Sequence, residues 1–148
     1  MDVIGINNEE AYFRASVWSW RPIQFILDFI NEKNNLGIDM SSFGYNDGGG
    51  IKDPRACEII ADILEDEFIS ALTSDDVDRI YLNLGSWSTS GGYSIKKEDY
   101  PQGEFPLFSI NGYVTPKGNL VYSSHSIERE HLLEFCKFLR NCGGFEIW

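Results

Sequence analysis

Basic residues are scarce in this chain. Only 12 Lys and Arg stand against 23 Asp and Glu, for a net charge of −11 over 148 residues. That excess of one sign repels nucleic-acid backbones and anionic lipid, so nonspecific binding to either is disfavoured, and it attracts basic partners. Cysteine is also scarce. Cys57, Cys136 and Cys142 are odd in number and include no C-x-x-C pair, which argues against a secreted disulfide scaffold and for a reducing cytoplasm. No apolar run approaches the length of a membrane span. The opening MDVIGINNEE lacks the basic-then-apolar pattern of a secretory leader. No internal repeat and no long linker interrupt the chain.

Sequence signatures of chemistry are equally sparse. The last quarter offers His125, His131, Cys136 and Cys142 at spacings of six, five and six. Zinc ligands usually pair at two to five residues, so these scatter around a helix and no metal site is expected. No Asp/Asn ladder ends in a Glu as a calcium loop requires. There is no G-x-S-x-G elbow, no Walker pattern and no G-x-G-x-x-G. No cofactor is therefore expected.

What is present suits one folded domain over residues 1–148. The length can bury a core, and aromatic residues make up 14% of the chain. Val3, Ile4 and Ile6 start a short strand. Tyr12 to Trp20 alternates loosely and reads as a second, with a helix over residues 9–17 as the competing reading. Pro22 suits the first turn of a helix whose stripe is Ile23, Ile26, Leu27 and Ile30, and Asn34-Asn35-Leu36-Gly37 ends it. Asp53 caps and Pro54 opens an acidic helix. Val77, Ile80, Tyr81 and Leu84 hold helical spacing, with a strand over residues 80–84 as the competitor. Residues 86–103 read as a long loop. Residues 105–114 and 119–123 read as strands joined by Thr115-Pro116-Lys117-Gly118. Ser126 with Glu128 and Glu130 announces a last helix, and Phe145 to Trp148 reads as an edge strand that finishes its own sheet or extends one across a homodimer axis. The expected fold is α+β, with three to four helices on a small, mostly antiparallel sheet.

Three features compete as a site. Between Asp53 and Asp78 lie nine carboxylates and one basic residue, Arg55. Glu58, Asp62 and Asp66 recur every fourth residue with Glu65 beside them, so they stack on one helical face, where like charges cost a few tenths of a kcal/mol per pair. With Asp75 and Asp76 they make an attracting surface for a basic partner protein, and Trp87 or Tyr93 would supply an aromatic anchor. The leading expectation is thus a non-enzymatic acidic protein that blocks a cationic partner, as immunity or phage counter-defence inhibitors do. The second feature is the Arg/aromatic segment around Arg14, Trp18, Trp20 and Arg21. With Asn46 and Asp47 of the glycine-rich YNDGGG run it would line a pocket for a small ligand such as a nucleotide. A hydrolase using carboxylates or a Cys–His pair is the third reading.

Overall fold

The computed structural model describes residues 1–70, 79–89, 94–95, 108–110, 113–114 and 120–148, with side chains at 1–70 and 126–148. The architecture is α+β. Its contacts fall into two compact units, Met1–Ala71 with Glu130–Trp148, and Leu72–Arg129.

The first unit is built on a three-stranded antiparallel sheet. β1 (Asp2–Gly5) lies between β2 (Tyr12–Arg14) and β8 (Phe145–Ile147), with Val3 opposite both Phe13 and Ile147. Alternation places Val3, Phe13, Phe145 and Ile147 in the core. The C-terminal segment therefore finishes the chain's own sheet. The outer side of β8 is bonded as well: Gly48 donates its N–H to Ile147 O, Ile147 donates to Gly49 O, and Phe145 donates to Ile51 O. The glycine-rich run is thus held along the last strand.

Helix α1 spans Val17–Asn34. It starts five residues before Pro22, because the Ser16 side chain accepts from the Ser19 N–H and satisfies an orphan donor of the first turn. The expected strand therefore stops at Arg14, and Trp18 and Trp20 belong to the helix. Asn35 ends α1 at φ 51, as the Asn-Asn-Leu-Gly run implied. The Asp53 side chain caps α2 (Pro54–Ile63) by accepting from the Arg55 N–H, with Pro54 in the first turn. Six π-helical residues, Leu64–Ile69, continue it. Helix α3 spans Arg129–Asn141. Phe13, Phe135, Phe138 and Phe145 form one aromatic cluster, and Trp20 meets Phe135 edge-on at 5.9 Å.

The second unit contains β3 (Arg79–Thr89), β4 (Ser94–Ile95), β5 (Phe108–Ile110), β6 (Tyr113–Val114) and β7 (Leu120–Glu128), all paired antiparallel. β3 and β7 run side by side, with a register shift between Leu82 and Trp87. The helix expected around Ile80–Leu84 is therefore a strand. Among the described residues three α-helices form, the lower end of the expected three to four. Ile80, Leu82 and Leu84 also fit a period of two, and partners on β5 and β7 decide between the two patterns. Strand structure also reaches into the expected 86–103 loop, at residues 86–89 and in β4.

Candidate functional site

A cleft of about 590 Å³ opens beside α1, lined by Met1, Val17, Trp20, Arg21, Gln24, Ser41, Gly44, Tyr45 and Asn46. That volume lies within the roughly 300–1,000 Å³ range of small-ligand sites. Helical geometry gathers the α1 side: Val17 and Arg21 are four residues apart, as are Trp20 and Gln24, so they share neighbouring rows of one face. The loop side is fixed by Trp20. Its indole N–H donates to Phe43 O at 2.7 Å, and its side chain is 1% exposed. Trp20 is therefore a core residue that also walls the cleft and ties the loop to the helix. Tyr45, 65% exposed, stands at the rim.

The electrostatics are local and simple. Arg21 brings a guanidinium, Met1 brings its ammonium, which donates to Ala15 O at 2.9 Å, and no Asp or Glu is among the described lining residues. Arg21 forms no ion pair among the described residues, whereas Arg14 faces Asp2 at 3.8 Å, Lys33 faces Glu67 at 3.4 Å, and Arg140 holds two carboxylates. Gln24, Ser41 and Asn46 add neutral donors and acceptors. The arrangement can hold an anionic group at one end and a flat or apolar body along Tyr45 and Val17.

No family model, curated protein or solved structure matches this chain.

Of the expected pocket residues, Trp20, Arg21 and Asn46 come together. Trp18 does not: it is 74% exposed, because two helical steps rotate it some 200° from Trp20. Arg14 points from β2 toward Asp2, and Asp47 is exposed outside the lining. Gln24 and Ser41 carried no sequence signal beyond a polar residue next to an apolar stripe.

The acidic ridge exists, but its charge is partly answered from within. The Arg140 guanidinium reaches Asp62 at 2.9 Å and Glu65 at 3.0 Å. Glu58 and Asp66 are exposed, without an ion-pair partner among the described residues. Asp75, Asp76 and Tyr93 lie outside the described residues. Trp87 sits on β3 opposite Ile95 and Ser123, with its side chain outside what is described.

Arg140, and then the Cys136 thiol, hold the Glu65 carboxyl below its ordinary value of 4.5. A depressed carboxylate stabilises the fold above its unfolded pKa, and that contribution is lost as pH falls through the folded value. Arg140→Ala is therefore expected to lower the urea midpoint slightly at pH 7 and not at about pH 3, with a difference that shrinks in high salt. A loss of equal size at both pH values would show that Arg140 acts by packing instead.

Among the described side chains, the thiols and His131 do not assemble a nucleophilic site; the side chain of His125 lies outside what is described. Burial, then Glu65, pushes the Cys136 thiol up to about 11. Cys136 faces Ala61 O and Glu65, while the His131 ring lies on Phe13 at 4.9 Å with Nδ1 near Glu134. Cys57 and Cys142 are fully buried. Their mutual hydrogen bond, followed by burial, raises Cys57, and the same bond lowers Cys142. No helix among the described residues is long and apolar enough to cross a membrane.

Proposed function

We propose that this protein is a non-enzymatic binder of small anionic molecules, with the cleft beside Arg21 as its site. One observation carries the reading. Two separate stretches, SVWSWRP and FGYNDGGG, are folded so that Trp20, Arg21 and Asn46 border one cleft of ligand size. The wall is rigid, because Trp20 is buried and hydrogen-bonded. A pre-formed site loses little ordering entropy on binding. The three buried thiols suit a reducing cytoplasm.

The test uses a deproteinised cell extract. Wild-type protein and Arg21→Ala are dialysed against it, and the retained small molecules are identified by mass spectrometry. Wild type should concentrate at least one small anion, and the variant should retain about tenfold to a hundredfold less, as expected for loss of a charge-assisted hydrogen bond. Equal retention by both, with the variant folded by circular dichroism, would remove the reading.

A second reading has its own support. The unit that carries the cleft holds 16 Asp and Glu against 7 Lys and Arg, and Glu58 and Asp66 face outward. Such a surface attracts a basic protein and speeds encounter. Arg140 and Lys33 weaken that field, which is why the reading stands second. Changing Glu58, Asp62 and Asp66 to Lys would slow association with a basic partner and flatten its salt dependence, and an unchanged rate would dispose of it.

A further inference from the structure

Taking the cleft as a small-molecule site, we infer that its ligand is a flat ring bearing one oxyanion group, bound without a bridging metal ion, rather than a nucleoside polyphosphate. Four observations converge. The first is the cation count. Arg21 is the one Lys or Arg among the described lining residues, and the ammonium of Met1, which also lines the cleft, already donates to Ala15 O at 2.9 Å; a guanidinium matches a single carboxylate or phosphate group through two parallel N–H bonds.

The second is the absence of phosphate-handling parts. Polyphosphates are held by runs of backbone N–H groups, by lysine, and by Mg²⁺ on carboxylates. Here two amides of the YNDGGG run are already used. The Gly48 N–H is donated to Ile147 O, and the Tyr45 N–H to Ser42 O. No carboxylate among the described lining residues is placed to hold Mg²⁺.

The third is the field of the unit. With 16 acidic against 7 basic side chains around it, each further negative charge on a ligand is opposed. One oxyanion answered by Arg21 is tolerated, whereas a triphosphate is not. The fourth is the apolar part. Trp20 offers neither a donor nor a free ring face: it is 1% exposed and its N–H is used by Phe43 O, so it backs the cleft as a packed apolar wall. Tyr45 stands at the rim, 65% exposed, with Val17 on the helix side at 55%. An exposed ring beside an apolar wall favours a stacked planar body.

Isothermal titration calorimetry on the full chain tests this with defined probes. Adenosine 5′-monophosphate and indole-3-carboxylate each carry a ring and one oxyanion group. ATP carries more charge, adenosine and indole carry none, and acetate and inorganic phosphate lack the ring. At least one of the first pair should bind about tenfold tighter than its uncharged ring, than ATP, and than either bare anion. Arg21→Lys, which keeps the charge but not the fork, and Tyr45→Ala should each weaken that probe about tenfold. ATP binding as tightly as the monophosphate, or bare anions binding as well as the ring acids, would overturn the inference. Silence from every probe would overturn the ligand class too. The site itself falls only if Arg21-dependent retention from cell extract is also missing.

Discussion

Trp20→Ala is expected to cost about 3–5 kcal/mol, the range for removing a fully buried aromatic side chain. Whole domains are stable by only about 5–15 kcal/mol, so the variant should be largely or partly unfolded at physiological temperature. The residue is 1% exposed, meets Phe135 edge-on, and donates its indole N–H to Phe43 O. Truncation removes the apolar area, leaves a cavity and orphans that carbonyl. Trp20→Phe separates these contributions. It keeps most of the ring volume but not the donor, so it should lose about 1–3 kcal/mol for the unmet carbonyl together with a smaller packing loss. Urea unfolding followed by circular dichroism reads both. Near-native stability in Trp20→Ala would show that the wall of the cleft is not the keystone described here.

Gly144→Ala is expected to be the next most damaging change described here. Gly144 has φ +95, where an L side chain is strained, and a Cβ there would lie 2.8 Å from Lys52 O and 3.1 Å from Ile51 O. Both neighbours are backbone and cannot swing aside. Strain plus overpacking should cost about 3 kcal/mol or more. Gly37→Ala is the control, because Gly37 also has positive φ but no atom within 4 Å of its Cβ position. It should lose about 1 kcal/mol. Hydrogen exchange gives a sharper readout. In Gly144→Ala the amides of Phe145 and Ile147, which bond Ile51 O and Gly49 O, should lose protection before those of α1. Equal costs for the two alanines would contradict the tight approach at Gly144.

The sequence made some parts legible through local chemistry. Asp53-Pro54 announces a helix start by a cap and a missing N–H, and both act within one turn. The stripe Ile23, Ile26, Leu27 and Ile30 needs only helical periodicity, and all four are buried. The start of α1 was not legible, because Val17-Trp18-Ser19-Trp20 consists largely of residues that favour strands. Ser16 with Ser19 outweighs that preference only once the helix is packed. That start sets the phase, and the phase decides that Trp20 and Arg21 border the cleft while Trp18 does not. The spacing of Glu58, Asp62 and Glu65 was legible too. The closure of Asp62 and Glu65 by Arg140, 75 or more residues later in the chain, belongs to tertiary structure. The strand at Arg79–Thr89 was obscured because Ile80, Tyr81 and Leu84 fit two periods at once.

The bonds from residues 48–51 to β8 bear on self-association. A last strand normally offers a ladder of free amides and carbonyls on which a second copy can polymerise. Here that ladder is taken by the segment that also carries Tyr45 and Asn46. Strand exchange or edge-to-edge growth through the C-terminus would first have to peel that segment away. Oligomers built there and an intact cleft are therefore mutually exclusive, and a compound that fills the cleft should act as an anti-aggregant.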